Sequence, residues 1–264
     1  MLGSILFNYG IGRMLDRPDR RWWLTLGIVV NLGTLAYFKY AMFALGQTNV
    51  VLRWLGEAPV EIPRITLPLG ISFFTFQAIS YLVDVYRKTT PAQRNPIKLG
   101  LYISLFPQLI AGPIVRYQEL NEQLSRRTTS WEKTAEGLER FLIGLSKKVL
   151  IANTLATVVD EIFALDFASM DALTAWAGAA LYALQLYYDF SGYSDMAIGL
   201  GLLFGFRIPE NFNFPYASKS IREFWRRWHI TLGAWFRDYL YIPLGGSRGT
   251  GGQTARNLLF VFVA

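Results

Sequence analysis

Long apolar runs separated by short basic clusters form the main pattern of this chain. Residues 22–46 and 65–86 are each apolar over the roughly 20 positions that a helix needs to cross about 30 Å of hydrocarbon, so both are predicted to span a membrane. Basic clusters at 13–21 and 87–98 flank these runs, whereas the loop at 47–64 is charge-neutral. Since basic loops are retained on the cytoplasmic side, both clusters are predicted to be cytoplasmic.

The next apolar stretch, residues 97–115, contains Pro107, Gly112 and Pro113. Because proline removes a backbone hydrogen bond, this stretch is predicted to be a re-entrant or broken segment enclosed by protein. An ordinary kinked helix is the alternative.

A pair of lysines, Lys147 and Lys148, interrupts the apolar run that follows. A lysine near the centre of a bilayer costs roughly 2.5 to 3.5 kcal/mol on insertion scales. The pair is therefore predicted to mark the cytoplasmic edge of a span that begins at Val149.

The run at 173–206 carries only two charged residues, Asp189 and Asp195. As one helix it would be about 50 Å long, which is more than the hydrocarbon requires, so a break is predicted at 187–195. Ser191 and its neighbours there can bond to an interrupted backbone. A carboxylate at this depth indicates a functional site. The alternative is an acid that caps a half-helix or pairs with an arginine of the stretch described next.

Residues 221–240 read IREFWRRWHITLGAWFRDYL, and at helical spacing they predict one amphipathic helix with an aromatic side and an arginine-rich side. His229, the single histidine of the chain, falls at the border between the two sides. Partial burial beside cations favours the neutral imidazole, which can act as a general base. The alternative is a histidine that covers the polar side of a buried helix, and helical position alone does not decide between them.

Composition supports a membrane protein, since 52% of the residues are hydrophobic and only 17% are charged. The net charge of +7 is spread over short clusters beside apolar runs, so no nucleic-acid partner is predicted. With no cysteine and one histidine, the chain lacks thiolate and histidine-rich metal sites. The apolar ends, residues 1–12 and 258–264, are too short to span, so truncation of a single membrane-embedded domain is expected at both ends.

Four stretches are long and distinctive: LPLGISFFTFQAISYLVDVYR (67–87), FPQLIAGPIVRY (106–117), YYDFSGYSDMAIGLGLLFGFRIPENFNFPY (187–216) and SIREFWRRWHITLGAWFRDYLYIPLGGSR (220–248). Together they resemble the membrane-bound O-acyltransferase superfamily, specifically its bacterial alginate O-acetylation branch. The resemblance implies an all-α, polytopic membrane enzyme with re-entrant or broken helices around a central funnel. It implies transfer of an acyl group, acetyl above all, from a cytoplasmic thioester such as acetyl-CoA to hydroxyls of an exported polysaccharide.

The resemblance also implies site residues and partners. His229 matches the upstream of two family histidines, and the downstream one, regarded as central, lies in a following helix that this chain does not reach. The chain is therefore expected to be a fragment and to be inactive alone. Candidate supporting residues are Asp189, Ser191, Asp195, Asn211 and Asp238, and candidate donor-binding residues are Lys219, Arg222 and Arg226. No tightly bound cofactor and no metal are expected.

Other readings stay open from the sequence. The three donor-site cations fit anionic lipid headgroups equally well. The same scaffold could transfer D-alanine toward teichoic acid, and intramembrane acids also occur in transporters and in inert scaffolds. The expected setting is the bacterial inner membrane, with multiple spans, and with periplasmic or extracellular partner proteins that complete the transfer to polysaccharide.

Overall fold

The computed structural model describes residues 1–110, 112–166 and 170–263, and every regular element in them is helical. This confirms the predicted all-α class. The helices are α1 (Leu2–Met14), α2 (Arg20–Trp54), α3 (Ile71–Arg87), α4 (Pro96–Ile103), α5 (Phe106–Leu109), α6 (Tyr117–Leu120), α7 (Trp131–Ser146), α8 (Asn153–Phe163), α9 (Ala172–Leu203), α10 (Ile221–Arg227), α11 (Ile230–Phe236) and α12 (Gly251–Val263). Wider π-helical turns occupy Lys147–Ala152 and Arg237–Tyr241, and a 3₁₀ turn occupies Pro215–Ala217.

Contacts divide the chain into two compact units, residues 1–105 with 116–118 and residues 106–115 with 119–264. The first unit packs around α3 and α4, whose Tyr81 and Tyr102 are fully buried. The prediction of a single membrane-embedded domain stays a prediction.

Two helical rods in the described residues are long and apolar enough to cross a membrane. One is α2, with 35 residues, and the other runs from Trp131 to Phe163 through α7, the π-helical turn and α8. The predicted span at 65–86 is not among them, because its helix, α3, has only 17 residues. Pro68 and Gly70, whose φ is +71°, precede α3 and delay its start to Ile71.

The prediction that Lys147 and Lys148 mark the edge of a span stays a prediction, although the rod does not begin beside them. The rod begins at Trp131, where the Ser130 hydroxyl accepts a hydrogen bond from the Lys133 N–H and caps the helix. Both lysines therefore lie in the middle of the rod, at its π-helical turn. Each pairs there with a carboxylate of α9, which makes a lysine at this position tolerable.

The predicted break in 173–206 is wrong, because α9 is continuous from Ala172 to Leu203. Its carboxylates are neutralised by cations of the neighbouring rod, so the helical backbone needs no interruption. Glycines allow the two to approach: a Cβ on Gly144 would lie 2.5 Å from the Gly192 carbonyl oxygen, and a Cβ on Gly199 would lie 2.5 Å from that of Gly137. Helices α7 and α9 thus pack backbone to backbone at two levels.

The stretch at 97–115 is broken, as predicted. Helix α4 ends at Ile103, the short α5 covers Phe106–Leu109, and the described residues from Gly112 to Arg116 are not helical. Residue 111 lies outside the described residues. The kinked-helix alternative is therefore wrong, and the re-entrant path stays a prediction.

Candidate active site

His229 lies at a break between two short helices, so the prediction of one amphipathic helix over 221–240 is wrong. Helix α10 ends at Arg227, α11 begins at Ile230, and His229 between them has φ +45° and ψ +54°. This left-handed conformation is uncommon for a residue with a Cβ.

A loop replaces the hydrogen bonds that a continuous helix would make at this point. The Asn213 N–H donates to the Arg227 carbonyl at 2.9 Å, and the Ile230 N–H donates to the Asn211 carbonyl at 2.9 Å. The backbone groups freed by the break are satisfied by residues 211–213, which holds the loop against His229.

The imidazole of His229 is mostly buried, with 9% of the residue exposed. Its Nδ1 lies 3.0 Å from Oδ1 of Asn211, and the Phe190 ring packs perpendicular to it at a centroid distance of 4.8 Å. Burial lowers the pKa of His229, which lies outside both candidate spans, from 6.5 to about 4. The imidazole is therefore neutral at pH 7, the form in which it can accept a proton.

Asn211 is fully buried and bonds to groups from three segments. Its Oδ1 accepts from the Thr231 hydroxyl at 2.9 Å and from the Thr231 N–H at 3.3 Å, and its Nδ2 donates to the Ser194 hydroxyl of α9 at 3.2 Å. The Thr231 hydroxyl in turn accepts from the Ile114 N–H at 2.9 Å. Asn211 is among the site residues predicted from the sequence, whereas Thr231 and Ser194 are not, because neither carries a charge or a motif that marks it.

A second polar cluster surrounds Asp195, which is 5% exposed. Its carboxylate oxygens lie 2.7 Å from the Arg140 guanidinium and 2.6 Å from Lys147 Nζ, and the same guanidinium reaches Glu210 at 2.6 Å. The predicted alternative, an ion pair with an arginine of residues 222–237, is wrong for Asp195. The lysine pair in an apolar run was the signal that could have identified these partners.

Asp189 pairs with Lys148, likewise not with an arginine of residues 222–237, and its side chain is 47% exposed. It is more open to solvent than Asp195. Of the two carboxylates predicted for α9, Asp195 is therefore the one that belongs to the buried network.

A cavity of about 410 Å³ opens beside this network. It is lined by Arg140, Ile143, Lys147, Tyr187, Ser191, Asp195, Glu210, Phe212, Asn213, Phe214 and Ile230. Ile230 follows His229 directly in the chain, and Glu210 and Phe212 flank Asn211. The Ser191 hydroxyl, buried in the cavity wall, has no hydrogen-bond partner within the described residues. A polar group left without a partner at such a place is available to a ligand.

The other predicted site residues lie apart from the cavity wall. Asp238 pairs with Arg237 at 2.7 Å in the π-helical turn after α11. Lys219, Arg222 and Arg226 are exposed at and along α10. The described residues contain no group of three or more histidine, aspartate or glutamate side chains that could hold a metal ion.

Comparison with known proteins agrees with this architecture. Residues 91–264 match the model of the MBOAT, or membrane-bound O-acyltransferase, family. The probable alginate O-acetylase AlgI of Azotobacter vinelandii is 52% identical over 98% of this chain, and that of Pseudomonas aeruginosa is 51% identical over 99%. The peptidoglycan O-acetyltransferase of Helicobacter pylori is 41% identical over the whole chain.

The chain spans about half the length of these curated relatives, 52%, 51% and 55% respectively. The match to the family model nevertheless covers the rod of α7 and α8, helix α9 and the loop and helices that hold His229. The chain therefore belongs to the membrane-bound O-acyltransferase family.

Proposed function

We propose that the whole protein transfers an acetyl group from a thioester to hydroxyls of an exported polysaccharide such as alginate, with His229 in its active centre. The observation that carries this proposal is a neutral, mostly buried imidazole, held in a strained backbone conformation next to a cavity whose wall includes Asp195 and its cations. The alginate and peptidoglycan O-acetylation named for the relatives supports acetyl as the acyl group and a polysaccharide as the acceptor.

In the proposed reaction, the sugar hydroxyl attacks the thioester carbonyl. The carbon–sulfur bond breaks, an ester forms, and the proton of the hydroxyl ends on the departing thiol. His229 accepts the hydrogen bond of the attacking hydroxyl and carries its proton, with a contribution of about 10² to 10⁴ in rate. The second family histidine, implied by the resemblance, would be supplied by the rest of the protein.

The cavity beside Asp195 is the proposed seat of the reacting groups. Arg140 and Lys147 compensate the buried carboxylate, and the Ser191 hydroxyl offers an unused hydrogen bond. Tyr187 and Phe212 add aromatic surface of the kind on which a sugar or an acyl group packs.

The donor is proposed to be acetyl-CoA or another acyl thioester, with Lys219, Arg222 and Arg226 attracting its phosphates from the cytoplasmic side. Their exposure supports this role, and it supports contact with anionic lipid headgroups equally. A rise in the KM for acetyl-CoA in an Arg222→Gln/Arg226→Gln variant would support the donor role. An unchanged KM would instead indicate that these cations contact anionic lipid headgroups.

The proposed setting is the bacterial inner membrane, with several spans and with periplasmic or extracellular acyltransferase partners. The two candidate spanning rods support membrane residence. D-Alanyl transfer toward teichoic acid remains the alternative on the same scaffold, but the acetyl group named for all three relatives above favours acetyl. Uptake of ions without acyl turnover by the reconstituted protein would instead indicate a transporter.

The test is replacement of His229 in the full-length protein. We expect His229→Ala to lower polymer acetylation at least 100-fold while membrane insertion, followed by immunoblot of the membrane fraction, is unchanged. His229→Asn is the matched control, because asparagine adopts the left-handed conformation readily but has no imidazole. Both variants should be inactive. Full acetylation by either one would exclude His229 from the chemistry.

A further inference from the structure

The hydrogen bonds around Asn211 determine which nitrogen of His229 carries its proton. Oδ1 of Asn211 receives the Thr231 N–H, a group that can only donate. Were the amide turned round, its NH₂ would face that N–H, donor against donor. The amide orientation is therefore fixed by the backbone.

The Thr231 hydroxyl gives a second, independent constraint. Its oxygen already accepts the Ile114 N–H, so its own hydrogen is free to point at Oδ1 of Asn211, 2.9 Å away. The amide NH₂ donates in the other direction, to the Ser194 hydroxyl. All of these hydrogen bonds are therefore consistent with one assignment of donors and acceptors, in which the amide oxygen of Asn211 is an acceptor.

An oxygen fixed as an acceptor requires a donor at the third group that touches it. That group is Nδ1 of His229, at 3.0 Å. A neutral imidazole carries one N–H, so placing it on Nδ1 leaves Nε2 with its lone pair. A half-turn of the ring would put a C–H against Oδ1 and lose the bond.

We infer that Asn211 is the positioning residue that holds His229 as the Nδ1–H tautomer, with Nε2 as the nitrogen that meets the substrate hydroxyl. This inference deepens the proposed function and rests on it. Asn211 touches no reacting atom in this scheme and acts only through the imidazole. Ser194 and Thr231 fix the amide itself.

The tautomer can be observed directly by ¹⁵N NMR of the full-length protein labelled at histidine, since a protonated and a bare ring nitrogen have well-separated shifts. The His229 signal is the one that disappears in His229→Gln. At pH 7 we expect Nδ1 to be protonated and Nε2 to be bare. A protonated Nε2 with a bare Nδ1 in active protein would overturn the inference.

Two substitutions separate positioning from mere structural support. Asn211→Asp keeps an oxygen that accepts the Nδ1 proton, whereas Asn211→Leu has a similar size and no acceptor. With labelled acetyl-CoA and alginate as the assay pair, we expect Asn211→Leu to lower kcat on the order of 100-fold with KM nearly unchanged. Its NMR signal should show a mixed or reversed tautomer. Asn211→Asp should keep the Nδ1–H signal and stay within about tenfold of wild-type kcat.

Asn257→Leu is the matched control. Asn257 is also buried, at 1% exposure, but its NH₂ bonds to the carbonyls of Leu244 and Gly246. It should leave the His229 signal as in the wild type. A wild-type Nδ1–H signal and wild-type kcat in Asn211→Leu would refute positioning by Asn211, and if that variant fails to fold, the wild-type and Asn211→Asp spectra decide.

The two proposals fail in distinguishable ways. Full turnover by His229→Gln would reject the proposed function of His229, whatever the NMR spectrum shows. An Nε2–H signal in protein that needs His229 for turnover would reject only the inference about Asn211.

Discussion

At the scale of single residues, the backbone of His229 holds conformational strain of about 1 to 3 kcal/mol, the usual cost of a non-glycine residue in the left-handed region. The bonds of Asn211 to Ile230 and Thr231 after the break, and of Asn213 to Arg227 before it, offset that cost. Strain that the surroundings maintain so specifically is typical of functional sites. A histidine that only covered the polar side of a buried helix would require neither the break between α10 and α11 nor the hydrogen bond to the Asn211 amide.

Protonation of His229 is expected to destabilise the protein. Its pKa is lowered by burial to about 4 in the folded state and is 6.5 in the unfolded chain, so the unfolded state binds more protons between these values. The stability that depends on a neutral His229 is thus fully present above pH 6.5 and is lost as the pH falls toward 4. We expect up to about 3 kcal/mol over this range.

The measurement is the melting temperature of the detergent-solubilised full-length protein from pH 7 to pH 4, beside that of His229→Asn. Carboxylates elsewhere titrate in both proteins, so only the difference between the two curves reports on His229. That difference should change in favour of His229→Asn as the pH falls. Two parallel curves would contradict a buried neutral imidazole.

At this scale the sequence predicted the histidine and Asn211 but not what links them. His229 is the only histidine, and its type alone indicated proton transfer. Thr231, Ser194 and the Ile114 N–H act through geometry, and Ile114 lies 117 positions from Thr231 along the chain. No local pattern in one sequence connects groups at that separation.

At the scale of elements, the helix containing His229 and helix α9 were both predicted with the wrong continuity. Hydrophobic periodicity runs unbroken through 221–240, so it could not reveal that the loop at 211–213 takes over the backbone bonds at Arg227. In α9, by contrast, a break was predicted where the helix is continuous. Its two carboxylates pair with the neighbouring rod, and Gly192 and Gly199 allow that rod close enough for the pairing.

Helix packing at Gly144 is expected to control the charged network. A methyl group there would meet backbone atoms of α9, 2.5 Å from the Gly192 oxygen and 2.7 Å from the Met196 nitrogen, so the rod must move away. Gly144→Ala should cost about 1 to 3 kcal/mol of stability and weaken the Lys147–Asp195 pair. The readouts are the melting temperature and polymer acetylation, and both should fall.

Gly33→Ala is the control for that substitution. Gly33 lies in α2, and a Cβ there would meet nothing within 4 Å. Alanine should stabilise a helix at such a position by up to about 1 kcal/mol. If Gly144→Ala behaved like Gly33→Ala, stability and acetylation would not depend on the close approach of α7 and α9.

At the scale of the whole molecule, hydropathy predicted membrane residence correctly, but the helix boundaries differ from the apolar runs. Apolar length alone located α2, and it missed that the second rod begins at Trp131 because two lysines lie within it. It also predicts a span at 65–86, whose helix has 17 residues and is mostly buried, so that span stays a prediction. A helix buried in protein and a helix that spans a membrane are both apolar in sequence. Only the packing seen in the structure distinguishes them.

The charge pattern around α2 and α3 predicts on which side of the membrane the loops after these helices lie. If both helices cross the membrane, the loop after α2, which has no excess of basic residues, is periplasmic and the basic loop after α3 is cytoplasmic. Ala58 and Pro91 are exposed positions in these loops, and cysteines there change no charge. The chain has no cysteine of its own, so any cysteines in the full-length protein need replacing only outside residues 1–264.

A membrane-impermeant maleimide applied to cells with a permeabilised outer membrane should label Ala58→Cys at least tenfold more than Pro91→Cys, and lysis should equalise the two. Equal labelling before lysis would mean that α3, short by the length criterion, does not cross, and that the basic clusters before α2 and after α3 lie on opposite sides.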